Sequence, residues 1–141
     1  MAANRTMRTF AYLWALPNTL LGLALLPLAL LPGGRVCRVT GVLEVWGPPV
    51  AGFLRLATPL VAGGAAAVTL GHVVLARDDF VRQATRVHER AHVRQYEVWG
   101  PLFLPAYGCA SLFCLCTGRR PYYDNPFERA ARRAEREATQ I

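Results

Sequence analysis

The sequence predicts an α+β fold, with an N-terminal transmembrane or anchor helix, a small antiparallel sheet, and a motif-bearing helix packed against a C-terminal helix. Three observations support this prediction. The first apolar run, 10–32, is about as long as a bilayer's hydrocarbon core requires. β-branched and aromatic residues concentrate at 36–46 and 68–76, as is typical of strands. Helix-capping signals and charged residues concentrate at 78–99 and 126–139.

The chain of 141 residues is long enough for one hydrophobic core behind the apolar run. We expect a membrane anchor at 1–34 and a folded domain at 35–141. No small-x-small cleavage site follows the run, which is also longer than the apolar part of a usual signal peptide, so a retained anchor is favoured.

The charge pattern favours a membrane partner. The net charge is +7, and all 16 basic residues are arginines. Those that border apolar runs are Arg5, Arg8, Arg35, Arg38, Arg119 and Arg120. Arginines at the ends of apolar segments are typical of contact with anionic lipid headgroups. We therefore expect membrane lipids as a partner and no nucleic acid.

The middle of the chain predicts strands joined by turns. Residues 35–47 are typical of two short strands with a tight turn at Gly41, and 68–76 is typical of one further buried strand. Two interpretations remain open for 50–67: a loop that dips into the membrane, or a helix followed by a turn.

One helix carries the chemically distinctive motif. Asp78 and Asp79 predict its start, and Gly100 with Pro101 predicts its end at Trp99. Within it, His88-Glu89-Arg90-Ala91-His92 matches the H-E-x-x-H pattern.

The spacing of this motif predicts a zinc site. Residues four apart lie on one face of a helix, so His88 and His92 present two imidazoles to one metal ion. Glu89 borders that face, where a carboxylate can take a proton from a zinc-bound water.

A zinc site with two histidines needs a third protein ligand. The acidic candidates are Glu97, Asp124, Glu128 and Glu135. Glu97 lies about 140° around the helix from His92 and points away. Asp124 lies in a turn, where it can reach the metal or cap the last helix. We favour Glu128, near the start of the last helix, because the small residues Ala130 and Ala131 allow that helix to approach closely.

The choice of Glu128 constrains the topology. If the apolar block 101–117 crossed the bilayer, Glu128 would lie on the opposite side from the two histidines. This block of about 17 residues is marginal for spanning a bilayer and contains Pro105 and Gly108. We therefore expect that it does not cross.

The stretch HERAHVRQYEVWGPLFLPAYG and the later YYDNPFERAA resemble the gluzincin branch of zinc metallopeptidases. They are also similar to small bacterial membrane proteins with an HExxH helix and a late glutamate. The likeness covers about residues 68–135. It implies a hydrolase of the bacterial inner (plasma) membrane, acting on a peptide or protein, with zinc on His88, His92 and Glu128 and with Glu89 as general base.

Three arginines depart from the pattern of that family. Arg90 and Arg94 lie where the extended motif usually has uncharged residues. Arg132 lies where such glutamate helices often carry an aspartate that orients a histidine.

Further side chains are candidates for roles beside the metal. His72 is either an extra ligand, a transition-state donor or a hydrogen-bonded core histidine. Candidate donors to an oxyanion or substrate are Gln95, Tyr96, Tyr107, Tyr122 and Tyr123, and Asp124 is a candidate partner of the site. The alternative to an enzyme is a non-catalytic membrane protein with a structural or vestigial zinc site, which His72 would close as a fourth ligand.

Overall fold

The protein is described from a computed structural model that covers residues 2–59 and 61–140. Its α-helices are α1 (Ala2–Leu23), α2 (Pro48–Ala57), α3 (Asp79–Ala84), α4 (Arg86–Trp99), α5 (Phe103–Cys116) and α6 (Pro126–Thr139). Its strands are β1 (Arg35–Val39), β2 (Val42–Trp46), β3 (Ala67–Leu70) and β4 (Val73–Ala76). Short 3-10 helices cover Leu26–Leu30 and Gly100–Leu102. The mixture of helices and a sheet confirms the expected combination of elements.

The sheet is mixed, whereas a purely antiparallel one was expected. Its strand order is β1-β2-β4-β3. The pairs β1–β2 and β3–β4 are antiparallel hairpins, but the central strands β2 and β4 run parallel. The segment 68–76 therefore holds two strands and a turn. The connection from β2 to β3 contains α2, and a long connection of this kind lets a second hairpin align parallel to the first.

The predicted tight turn at Gly41 is present between β1 and β2. Thr40 and Gly41 have φ angles of 43° and 83°. Two consecutive left-handed residues form the primed turn that matches the twist of a hairpin.

The segment 50–67 begins as a helix and continues as turns, which is the second of the two interpretations left open. Val50 and Leu54 of α2 are buried against Val45, Val73 and Leu75 of the sheet. This contact forms the main hydrophobic core on one face of the sheet.

The single helix expected from Asp79 to Trp99 is interrupted at Thr85. Asp78 caps α3 by accepting a hydrogen bond from the backbone N–H of Val81, at 2.8 Å. The Thr85 hydroxyl then donates to the carbonyl of Val81, also at 2.8 Å. Such a bond back to the preceding turn bends or ends helices. The motif therefore lies on α4 alone.

α1 packs along one face against the rest of the protein. Ala15 is fully buried, and the Asn18 amide donates to the carbonyl of Gly100 at 2.9 Å. Gly100 has a φ of 53°, and a Cβ there would come within 2.5 Å of the Trp14 indole. Glycine is therefore required where α4 ends.

Within the described residues, one helical stretch is long and apolar enough, by length and composition, to cross a membrane. It is Arg86–Cys116, which joins α4 to α5 through the 3-10 turn. It differs from the apolar run at 10–32, which was expected to be the anchor and which covers α1 from residue 10 onward and the first 3-10 helix.

Candidate metal centre

The centre lies where α4 packs against α6. Asn125 starts α6 by accepting a hydrogen bond from the backbone N–H of Phe127 at 2.9 Å, and Pro126 occupies the first turn, where its missing N–H costs nothing. Asn125, and not Asp124, is therefore the cap. Ala131 is fully buried, as close approach of the helices requires, whereas Ala130 is exposed.

The structure brings His88, His92 and Glu128 together. The Nε2 atoms of the two histidines lie 3.2 Å apart. His88 Nε2 lies 3.1 Å from Glu128 Oε2, and His92 Nε2 lies 3.3 Å from Glu128 Oε1. All three side chains are buried, and their ligand atoms lie within 4.8 Å of one another. This group can hold a metal ion.

Each of the three side chains has a further polar neighbour, which for His92 and Glu128 is a hydrogen-bond partner. The amide oxygen of Gln95 lies 2.9 Å from His92 Nδ1, which can donate to it, and this contact leaves Nε2 facing Glu128 and the candidate metal position. The Tyr107 hydroxyl donates to Glu128 Oε1 at 2.8 Å. Glu135 Oε2 lies 3.6 Å from His88 Nδ1. Glu135 thus brings a carboxylate to His88 although position 132 is an arginine.

Glu89 lies beside this group and is buried. Its side chain is 5% exposed, and the Thr69 hydroxyl donates to Glu89 Oε2 at 2.6 Å. Burial raises the pKa of Glu89 above its ordinary value, and this effect exceeds the opposite influence of His92 and of the Thr69 hydrogen bond. A carboxylate with a raised pKa suits general-base chemistry near neutral pH.

The electrostatics of the three grouped side chains favour a cation. Burial opposes ionisation of Glu128, yet the hydrogen bonds with His88 and His92 hold its pKa well below the ordinary value. Burial also opposes protonation of His92, but Glu128 more than offsets this and raises the pKa of His92. Because a proton and a metal ion compete for the same nitrogen, metal binding here releases protons.

A cleft of about 440 Å³ leads to these side chains. β3 lies at the edge of the sheet and contributes Val68, Thr69 and Leu70 to one wall. The α5 wall contributes residues Phe103, Leu104, Tyr107 and Ser111, and Ala57, Thr58, Pro59 and Val61 contribute to the cleft from the segment after α2. Tyr122 also lines the cleft. The candidate metal group is thus reached from a surface opening.

The remaining candidates from the sequence differ in whether they line the cleft. His72 does not line the cleft; its Nε2 lies 3.0 Å from Glu97 Oε1, and its ring stacks on Tyr12. Tyr96 lines the cleft, but its hydroxyl donates to the carbonyl of Thr69 at 2.9 Å. The other two candidates, Tyr123 and Asp124, lie outside the cleft wall and contact Arg120.

Sequence reasoning did not predict the contacts of two side chains beside the metal group. Thr69 bonds Glu89, and no local pattern distinguishes it from other strand threonines. Glu135 was considered as a ligand, but its contact with the Nδ1 of His88 depends on how the two helices pack. A carboxylate seven residues after Glu128 lies two turns along the same helix face, which is a signal for this contact.

Comparison with family models, with curated proteins and with solved structures found no match for this chain.

Proposed function

We propose that the protein is a membrane-associated, zinc-dependent hydrolase that acts on peptide bonds. The observation that supports this most directly is the buried group of His88, His92 and Glu128, with Glu89 beside it at the end of a cleft. Two imidazoles and one carboxylate are a donor set that zinc accepts, and three protein ligands leave a fourth position open. Zinc bound there would polarise a carbonyl and lower the pKa of water.

The chain's own residues supply the other parts of a hydrolytic site. Glu89 is placed to accept a proton from the attacking water and to pass it to the leaving amine. Gln95 and Tyr107 orient His92 and Glu128 through hydrogen bonds, and Glu135 places a carboxylate beside His88. Tyr122, which lines the cleft and is 39% exposed, is our candidate donor to an oxygen of the substrate.

The edge strand β3 provides a surface for an extended peptide. An edge strand leaves backbone groups free to pair with an added strand. The carbonyl of Thr69 already accepts a hydrogen bond from Tyr96, so an incoming peptide would pair with the remaining outward groups of the strand.

Association with a membrane is supported by exposed apolar side chains on α1 and α5. Phe10 and Leu13 of α1 and Leu112, Phe113 and Leu115 of α5 are each more than half exposed. Exposed apolar surface of this extent indicates a membrane or a partner protein. The contact between Glu128 and His88 supports the expectation that α5 does not cross the bilayer between them.

The first test measures metal content in detergent-purified protein. We expect wild type and Glu89→Gln to hold about one zinc each, whereas His88→Ala and Glu128→Gln lose it because each lacks one of three ligands. Glu89→Gln is the matched variant, since it removes a neighbouring carboxylate and keeps all ligands. Wild type that cannot be loaded with zinc would contradict the proposal.

The second test measures peptide hydrolysis by the zinc-loaded proteins. We expect Glu89→Gln to cleave about 100- to 10,000-fold more slowly than wild type, because the general base is lost. Equal rates would leave a zinc protein without this mechanism, and the absence of any cleavage with a full zinc site would favour a structural metal.

A further inference from the structure

One lip of the cleft is α5, a helix with an unusual surface. It contains no charged residue, and only Phe103 and Cys114 are buried. One face lines the cleft, including Leu104 and Tyr107, while Leu112 on the other side is 59% exposed. A helix that is apolar all round is ordinarily buried in a core or in a membrane. Contact with water does not account for this surface.

The opposite lip of the cleft is the segment after α2, which also contains no charged residue. The sequence 56–76 contains no aspartate, glutamate, lysine or arginine, and Arg55 and Arg77 flank it. Pro59 and Val61 line the cleft, and Leu56, next to it, is 84% exposed. Both sides of the opening therefore present apolar side chains outward.

The side chains inside the cleft disfavour a substrate that carries a charge. Among the described residues that line it, the carboxylates and imidazoles are confined to the metal group and Glu89. The rest of the wall consists of alanines, valine, leucine, proline, hydroxyl-bearing and aromatic side chains. A charged substrate side chain would lose its hydration there without gaining a partner, which is strongly unfavourable.

Exposed arginines border the two lips and indicate which kind of surface contacts them. Arg55 precedes one lip, and Arg119 and Arg120 follow the other; all three are exposed. Apolar side chains bordered by exposed arginines match a bilayer with anionic headgroups, because the arginines contact lipid phosphates while the apolar side chains enter the acyl region.

We propose that the cleft opens into the surface of an anionic bilayer, and that its substrate is an uncharged, apolar peptide segment held at that surface. This inference rests on the proposed function, since it names the substrate class of the same zinc site. α5 lies in the plane of the membrane as one lip, and the segment after α2 lies beside it as the other.

The orientation is tested without zinc or substrate. Full-length single-cysteine variants retain Cys109, which is exposed on α5, or carry Val36→Cys on β1, the sheet edge opposite the cleft. Each is labelled with a fluorophore and added to vesicles of phosphatidylcholine and phosphatidylglycerol that contain a brominated lipid. We expect several-fold stronger quenching at Cys109 than at position 36. Equal quenching, or none at Cys109, would overturn the proposal.

The substrate class is tested with zinc-loaded Glu89→Gln on the same vesicles. Two photoreactive peptides share one apolar composition and one aspartate, placed either at the centre or at the end, and crosslinking is expressed per peptide bound to the vesicles. We expect crosslinking to the cleft to be about 100-fold weaker with the central aspartate, because that charge would be buried without a partner. Equal crosslinking of both peptides would overturn the assigned substrate class.

Zinc content is measured on the same samples, which separates this inference from the proposed function. Strong quenching at Cys109 in protein that cannot bind zinc would support the membrane-facing cleft and contradict the hydrolase. Full zinc loading without quenching at Cys109 would support the metal site and overturn the membrane-facing cleft.

Discussion

His92 shows how a single side chain is prepared for a metal. Its Nδ1 donates to Gln95, and its Nε2 faces Glu128. The Gln95 amide also donates to the carbonyl of Phe127 at 3.0 Å, so it links the ring to the start of α6. A glutamine three residues after the second histidine therefore holds both the ligand and the helix that provides the third ligand.

Replacing Gln95 by leucine should weaken zinc binding by about 10- to 100-fold, which is typical when the orienting partner of a ligand is lost. The measurement is a competition titration against a chelating indicator. Arg94→Gln, at an exposed neighbouring position, is the control and should leave zinc affinity unchanged. Gln95→Glu keeps an acceptor for Nδ1 and should recover part of the loss. Equal affinity of Gln95→Leu and the control would show that Gln95 does not orient the ring.

Arg90 lies between the two histidines in sequence but on the other side of α4. Two residues along a helix correspond to about 200° of rotation, so its side chain points away from the metal group. Its guanidinium donates to the carbonyl of Val39 and to Thr40 at the β1–β2 turn. This arginine holds the hairpin against the motif helix, which accounts for a charged residue at that position.

At the scale of elements, Glu44 joins the sheet to α3 and α4. It lies on β2, is 2% exposed, and accepts hydrogen bonds from Arg82 at 2.5 Å and from Arg86 at 2.9 Å. Arg90 lies 3.8 Å away. These arginines recur every four residues and form one face across the break at Thr85. The motif helix is therefore held on its far side by ion pairs of partly buried arginines with the buried Glu44.

The substitution Glu44→Gln should lower the free energy of unfolding by about 3 kcal/mol at pH 7, because it removes the buried anion that Arg82 and Arg86 share, and only Arg82 keeps another carboxylate partner, Asp79. Urea unfolding monitored by circular dichroism measures this. Glu137→Gln is the control, since Glu137 is exposed at the end of α6. A loss no larger than that of the control would show that the cluster contributes no net stability.

The stability difference between wild type and Glu44→Gln should also depend on pH. Burial opposes ionisation of Glu44, but the hydrogen bonds from Arg86 and Arg82 outweigh it and lower the pKa of this carboxyl. Its stabilisation is therefore complete above the ordinary glutamate pKa of about 4.3 and is lost as pH falls through the lower folded value. The difference in unfolding free energy between wild type and Glu44→Gln should shrink at acidic pH.

At the scale of the whole molecule, α1 is part of the fold as well as an apolar surface. Ala15 packs with Tyr96 and Phe103, at the junction of α4 and α5. Gly22 lies so close to β4 that a Cβ there would come within 2.5 Å of the Val73 Cβ. Removing α1 would expose the inner side of the motif helix and the β3–β4 turn.

We expect the fragment 35–141 to lose the cooperative thermal transition of the full chain, because it lacks the helix that covers this junction. Circular dichroism in detergent, with a dye that binds exposed apolar surface, measures the change. The full chain with Asn4→Ala, an exposed substitution on α1, is the control and should melt as wild type does. A cooperative transition in the fragment would support the division of the chain at residue 34.

Part of the site could be predicted from the sequence because it depends on local geometry. The spacing of His88 and His92 fixes their common face once the helix forms, and Pro126 marks the start of the last helix, although its cap is Asn125 and not Asp124. The turn at Gly41 is likewise local. These features need no knowledge of distant residues.

The approach of Glu128 to the two histidines was expected from the small residues that follow it, but the tertiary structure decided the other contacts between distant segments. The parallel pairing of β2 with β4 requires the crossover through α2, and the hydrogen bond between Thr69 and Glu89 requires β3 to reach α4. The assignment of Glu135 to His88 requires the register of α6 on α4. A sequence specifies the period of each element, whereas packing alone sets which faces meet and which charged groups are buried together.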